Sequence, residues 1–285
     1  MKTLVIGSTG TVGSAVVSAL AHRGVATVAA SRNPSSHAFP AGVQSVAFDY
    51  ADENTVRDAL SDVKRLFVLA PPGLENQVEH WTRLFALAKS AGVTHTVLMT
   101  AKGAGEDTPH GQGEAALLAS GLRWTVLQPT FFAQNFATYA AATIRNEDTF
   151  YYPAGEGKTA FVDARDIGEV AAAILTSPDA HHGKRYELTG PEALTMGEVA
   201  ETLSAVLGRS IRYVDPGEDG YRQALEASGL PPALAAMFTY LYAVVVKNGW
   251  AAGTSDDVAS VLGRPPRRFE AFARDYAATW SANGR

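Results

Sequence analysis

Three glycines at positions 7, 10 and 13, in Gly7-Ser8-Thr9-Gly10-Thr11-Val12-Gly13, have the spacing with which a backbone cradles a pyrophosphate. One makes the tight strand-to-helix turn, one lets the chain approach the phosphates, and one lets the helix pack close to the strand. Phosphates held there sit on free amide donors at the positive end of a helix dipole. Both flanking elements are present: Lys2-Thr3-Leu4-Val5-Ile6 reads as a strand, and Val12, Val16, Val17 and Leu20 recur at helical spacing up to Gly24, a C-cap glycine. Gly7, Thr9, Gly10, Thr11, Val12 and Gly13 are therefore expected to contact a dinucleotide. The second strand ends Ala29-Ala30-Ser31-Arg32, with no acid to take ribose hydroxyls. Arg32 offers a permanently charged fork to a 2′-phosphate and Ser31 and Asn33 add neutral hydrogen bonds, which favours NADP(H) over NAD(H). Asp49 and Tyr50 follow the third strand, where the adenine edge is expected. Asp49 has two readings there, as acceptor from the adenine amino group or as cap of the helix near Asp52.

A second pair with chemical potential is His110 and Glu114, four residues apart and so on one helix face. A histidine can pass a proton near neutral pH, and a carboxylate can accept from ribose hydroxyls. Glu114 raises the pKa of His110 rather than lowering it. Thr100, Lys102 and Tyr139 are further candidates to assist a proton transfer. The plain alternatives are helix-start packing for His110 and favourable first-turn placement for Glu114.

The elements that must position these groups alternate. Val25–Ser31, Ser45–Phe48, Arg65–Ala70, Thr94–Thr100 and Arg123–Leu127 read as strands, and Asp52–Leu60, Glu75–Ala91 and His110–Ser120 as helices, with Gly92 and Gly121 at helix ends. Repeated strand-helix-strand units predict an α/β Rossmann fold, a doubly wound parallel sheet with the ligand across the carboxyl ends of its strands. After about residue 130 the pattern changes to helices with short strand-like inserts at Phe150-Tyr151-Tyr152, Lys184–Leu188 and Ile211–Val214. The expected division is a dinucleotide-binding domain over 1–155, to which 160–182 returns, and a smaller, mainly helical substrate lobe over 183–285 with parts of 131–158. Asp163-Ala164-Arg165-Asp166 reads as a helix N-cap with an acid three residues on.

Composition narrows the class. The 285 residues are 46% hydrophobic and carry a formal charge of -5, without a basic stripe, which argues against nucleic acid as a partner. The one basic cluster, Arg264-Pro265-Pro266-Arg267-Arg268, reads as a solvated loop. There is no cysteine, which removes disulfides, thiol nucleophiles and sulfur-ligated metals. Neither a signal core nor a membrane-length apolar run is expected, and a cytoplasmic monomer or homodimer is the default reading. The seven histidines are scattered, and His181-His182 lack a helix-spaced partner, so no metal is expected.

These motifs together resemble the NmrA-like, atypical short-chain dehydrogenases, over nearly the whole chain. The resemblance rests on the glycine turn and on Ser31-Arg32-Asn33-Pro34, Phe67-Val68-Leu69-Ala70-Pro71-Pro72 and His110-Gly111-Gln112-Gly113-Glu114. It continues through Ser120–Pro129 with Asn135, Phe161–Ile167 and Val261–Pro266. It implies that Ala70, Pro71, Pro72, Thr100 and Ala101 run beside the nicotinamide ribose, and that Phe131, Phe132 and Asn135 wall the nicotinamide and substrate pocket. The loop Lys247-Asn248-Gly249 resembles one that closes the cleft in this family, so Phe238, Tyr242 and Trp250, with Tyr139, are the further pocket candidates. The wider superfamily uses a tyrosine and a lysine at the positions of His110 and Glu114, so the tyrosine-lysine ketone mechanism is not carried over. Hydride transfer belongs to the cofactor, and acceptors that take hydride readily need little acid help. The resemblance thus implies an NADPH-dependent reductase of a quinone, a dye or another conjugated aromatic acceptor. The alternative it implies is a non-catalytic regulator that senses the NADP redox state. Epimerase or dehydratase chemistry on a nucleotide sugar fits less well without the tyrosine and lysine.

Overall fold

A computed structural model describes residues 1–281. The last four residues of the expected 183–285 lobe lie outside the described residues. The chain forms two compact units: 1–129 with 164–188 and 257–264, and 130–163 with 189–256 and the segment from 265 onward.

The first unit is built on β1 (Lys2–Ile6), β2 (Thr27–Ser31), β3 (Gln44–Ala47), β4 (Val63–Val68), β5 (His95–Met99), β6 (Trp124–Pro129) and a seventh strand, Lys184–Leu188. All pair in parallel, in the order β3-β2-β1-β4-β5-β6 and then the seventh strand. Strand order reverses between β1 and β4, the kind of switch point at which sheets of this type bind their ligands. The helices are α1 (Thr11–His22), α2 (Glu53–Ala59), α3 (Gln77–Ser90), α4 (Pro109–Ala119) and Ala164–Thr176. In α1 the buried Val12, Val16, Val17 and Leu20 share one face, and Gly24 follows with φ +67° as the helix stops. The helix Ala164–Thr176 crosses α1 so closely that a Cβ on Gly168 would lie 2.6 Å from the Ala15 carbonyl carbon. Leu4, Ile6, Leu66, Val68, Trp81 and Phe85 belong to the core of this unit.

Two expectations are corrected. Lys184–Leu188 is an edge strand of the main sheet beside β6, with Leu127 opposite Tyr186, and not an insert in the second lobe. Only Tyr186 and Leu188 are buried in it, and this alternation of a half-covered edge disguises a strand of a parallel sheet as a short insert. The basic cluster is a loop, as expected, but its first arginine is not simply solvated. Arg264 reaches Asp166 and Glu169, each at 2.7 Å, and the Asp166 side chain is wholly buried. Asp163 directly precedes the helix as expected, and it accepts from Gln134 Nε2 at 2.8 Å. Asp166 is the acid in the first turn of that helix, three residues after Asp163, and it is also a partner of Arg264.

The second unit packs around rings. Phe136 meets Phe150, Phe161 and Phe269 edge-on at 5.3 Å each, and Trp280 Nε1 donates to the Phe136 carbonyl at 2.9 Å. Thr149–Tyr151 pairs in parallel with Arg212–Val214, and Lys158–Thr159 pairs antiparallel with Leu194–Thr195. The helix Met196–Leu207 begins with a complete capping box between Thr195 and Glu198. The helix Pro232–Tyr240 runs on into a π-helical stretch, Leu241–Val246. No helix among the described residues is long and apolar enough to cross a membrane.

Candidate active site

The glycine turn has the geometry that the sequence requires. Gly7 has φ +74°, and a Cβ there would lie 2.5 Å from Leu69 Cδ1. A Cβ on Gly13 would lie 2.0 Å from the Gly7 carbonyl oxygen, so side chains are barred at both positions. A Cβ on Gly10 would meet only that oxygen, at 3.5 Å, an ordinary contact. The protein itself thus leaves room over Gly10, where a backbone must come close to a phosphate. Thr9, Gly10 and Thr11 are exposed, whereas Val12 and Gly13 are buried and offer only backbone atoms. Ser8 Oγ donates to the Ala30 carbonyl at 2.8 Å, which ties the turn to the end of β2.

At that same end the Ser31 hydroxyl is buried without a hydrogen-bond partner, beside the exposed Arg32. An unpaired buried hydroxyl is costly and asks for an acceptor, and a 2′-phosphate is one. The open turn and this orphaned hydroxyl fit NADP(H). Asp49 accepts from the Ala51 amide at 2.9 Å in its own turn, while Asp52 caps α2 through the Asn54 amide. The capping reading of Asp49 therefore passes to Asp52. Tyr50 departs from its expected role as an adenine contact: it is buried, its hydroxyl donates to the Leu69 carbonyl at 2.8 Å, and burial raises its pKa. Its side chain anchors the segment after β4, where Ala70 is half-buried and Pro71 and Pro72 are exposed.

Of the five candidates for proton chemistry, Tyr139 belongs to the second unit and the other four fall on three different arrangements. Glu114 is only 7% exposed and accepts from Thr100 Oγ1 at 2.7 Å and Gln128 Nε2 at 2.8 Å through one oxygen, and from Arg185 Nε at 3.0 Å through the other. It joins α4 to the ends of β5 and β6 and to the seventh strand. Three of its lone pairs are already engaged, so its first task is to hold Thr100, with less left for a ribose than the sequence suggested. Lys102 pairs with Glu187 at 2.8 Å. His110 stands in the first turn of α4 with its ring 6.2 Å from that of Trp81. Burial lowers its pKa, against an opposing pull from Glu114, and its Nδ1 is buried without a partner. Burial thus disfavours the His110 imidazolium, and the uncharged ring can donate or accept a hydrogen bond.

The second unit contains a cavity of about 540 Å³. Five of the pocket candidates, Phe131, Asn135, Tyr139, Phe238 and Tyr242, line it. Phe132 and Trp250 do not. Phe132 pairs through its backbone with Val162, and Trp250, 63% exposed, is turned outward by the turn after the π-helical stretch. Sequence reasoning missed Tyr152 and the whole wall formed by the helix Gly217–Ala227 and its end. Tyr221, Ala224, Leu225 and Ser228 stand at i, i+3, i+4 and i+7, a stripe that could have been read from the sequence.

This is a nucleotide-binding α/β fold of the doubly wound type, with its glycine turn at the switch point of the sheet and a ring-lined cavity in the unit that follows. The chain belongs to the NmrA-like family, whose model matches residues 1–249. It is 40% identical over 287 residues to an NAD(P)H azoreductase of Xenophilus azovorans, with 98% of this chain and 99% of that one covered. Among solved structures, the NADPH-dependent quinone oxidoreductase of Escherichia coli in complex with NADPH superimposes with a TM-score of 0.83 at 26% identity, covering 96% of this chain and 99% of that one. The triphenylmethane reductase of Citrobacter sp. shares the fold with the same TM-score at 22% identity, covering 97% of this chain and all of the other.

Proposed function

We propose that the protein is an NADPH-dependent oxidoreductase that reduces a quinone-like or other conjugated aromatic acceptor. The observation that carries the acceptor class is the cavity, whose wall is built from phenylalanine and tyrosine rings and contains no acidic, basic or histidine side chain. Flat conjugated molecules stack on such walls. The cofactor assignment is supported by the open glycine turn and the orphaned Ser31 hydroxyl, and agrees with the relatives.

When bound, NADPH supplies a hydride from its nicotinamide ring. In our reading the amides of the first turn of α1 bind the pyrophosphate, and Ser31 and Arg32 bind the 2′-phosphate. Thr100, held by Glu114, and the segment Ala70-Pro71-Pro72 border the nicotinamide ribose. His110, its uncharged form favoured by burial and one ring nitrogen free, relays a hydrogen bond rather than acting as a strong acid. Phe131, Tyr139, Phe238 and Tyr242 stack the acceptor and exclude water from it. A cytoplasmic location and a monomeric or homodimeric state complete the reading.

The test is NADPH oxidation by the purified protein across quinones, azo dyes and triarylmethane dyes, with NADPH and NADH affinities measured in parallel. Turnover with an aromatic acceptor is expected. Tight NADP binding without turnover on any of them would instead support a redox sensor. Arg32→Ala is expected to weaken NADPH about 10- to 100-fold, the value of a charge-assisted contact, and to leave NADH unchanged. Equal losses for both cofactors would remove the 2′-phosphate role.

A further inference from the structure

The cavity of the second unit is closed along one part of its wall and low along another. Tyr152, Tyr221 and Tyr242 are buried lining residues, with the rings of Tyr152 and Tyr242 stacked 4.2 Å apart and that of Tyr221 at 5.9 and 6.0 Å from them. Four lining residues are exposed, namely Tyr139, Tyr151, Ala224 and Ser228. Tyr139 and Tyr151 carry rings that bulk out the edge where they stand, and that of Tyr139 lies 5.8 Å from the Phe238 ring. Ala224 and Ser228 carry almost nothing beyond the backbone, and there the wall is low.

The cause lies in the face that the helix Gly217–Ala227 turns to the cavity. Along it the side chains grade from the buried ring of Tyr221 through the half-buried Leu225 to the exposed Ala224 and Ser228. Ser228 stands just past the helix end and spends its hydroxyl there, donating to the Leu225 carbonyl at 2.6 Å. What it presents to the cavity is therefore small and already satisfied. Gly229 follows with φ +90° and adds no side chain. A flat molecule stacked among the tyrosine rings meets aromatic surface at one end and a gap at the other.

We propose that Ala224 and Ser228 are specificity-determining residues that act by being small: they leave an outlet through which an acceptor longer than the buried part of the cavity extends into solvent. A cavity of about 540 Å³ is of the size that covers most of a drug-sized ligand and leaves part of it outside. The tyrosine end then selects the ring system that enters, and the outlet tolerates length at the other end. A side chain of ring size at position 224 fills the gap, so that a long molecule no longer reaches the tyrosines while a short one still does. As specificity of a reductase this rests on reading the cavity as the acceptor site; as a mode of binding it rests on the walls alone.

The chain has no cysteine, so Ser228→Cys gives it a single thiol at the outlet. Its rate of reaction with a maleimide is measured on the full chain without NADPH, in the presence of saturating para-hydroxyazobenzene or of the same compound extended by one phenylazo unit. The longer compound is expected to slow the reaction at least about fivefold and the shorter one less than about twofold, because a thiol reacts only where a reagent can reach it. Gln223→Cys, exposed on the same helix and outside the lining, is expected to react alike in every case. Ala224→Trp is expected to weaken the longer compound at least about tenfold in an absorbance titration and the shorter one less than about twofold. Position 224 is exposed, so the larger side chain need not fit into a core, and the thiol measurement decides the matter even if this variant fails to fold. No binding of either compound, equal protection of the Ser228→Cys thiol by both, no protection by the longer one at saturation, or equal losses in a folded Ala224→Trp protein would overturn the outlet. Protection by the longer compound alone, with no reduction of any acceptor by NADPH, would leave the outlet standing and remove the reductase reading.

Discussion

Lowering the pH from neutrality should weaken this fold through His95. The residue opens β5, is 1% exposed, and shares a hydrogen bond of 2.9 Å between its Nε2 and Thr125 Oγ1 on β6. Thr125 Oγ1 gives its own proton to the His181 carbonyl at 2.8 Å, so it can only accept from His95. That fixes Nε2 as the protonated nitrogen and leaves Nδ1, buried without a partner, as the site where acid must add a proton. Burial first, and then the positive neighbours His182, Arg123, Arg65 and His181, lower the pKa from 6.5 to about 4. The unfolded chain therefore takes up the proton more readily than the folded one. The stability that the neutral ring contributes is complete above about pH 6.5 and is lost as the pH falls from there through about 4. With about 1.36 kcal/mol for each pH unit between the two values, the loss is about 2 kcal/mol at pH 5 and about 3 kcal/mol at pH 4. Urea unfolding of the wild type and of His95→Gln at pH 7, 6 and 5 measures it. The variant keeps an amide donor for Thr125 but cannot titrate, so its stability should fall about 2 kcal/mol less over that interval. Parallel pH profiles for the two proteins would refute the argument.

Four further outcomes follow from named contacts. Gly13→Ala puts a methyl 2.0 Å from the Gly7 oxygen and should abolish NADPH binding by calorimetry while costing about 1–3 kcal/mol in unfolding. Glu114→Ala leaves Thr100, Gln128 and Arg185 without their common acceptor and should cost about 3 kcal/mol in denaturant unfolding. The half-exposed Arg185 should cost about 1 kcal/mol or less when it alone is removed. Arg264→Ala takes the guanidinium from the buried Asp166 and from Glu169, and should lower stability by about 3 kcal/mol without changing NADPH affinity.

By itself the sequence determined what depends on neighbours in the chain. The glycine turn, the strand before it and the apolar stripe of α1 are local, so Gly7, Gly13 and Gly24 could be given their roles from spacing alone. The lack of an acid after β2 and the presence of Arg32 are read in the same way, and so are most strands and helices of the first unit. Only the tertiary structure decided what depends on groups far apart in the chain. It made Lys184–Leu188 the neighbour of β6, because an edge strand with one covered face carries too weak a pattern to declare its sheet. It turned Glu114 toward Arg185, 71 residues on, and Asp166 toward Arg264, 98 residues on, because a buried carboxylate takes whichever cation the fold brings to it. It sent the Tyr50 hydroxyl to Leu69 rather than to a nucleotide. It also placed Tyr152, Tyr221 and Tyr242 ring against ring, from three separate segments, where composition could show only that tyrosines were plentiful. Period and spacing record which face an element buries, and they are silent on which distant partner that face meets.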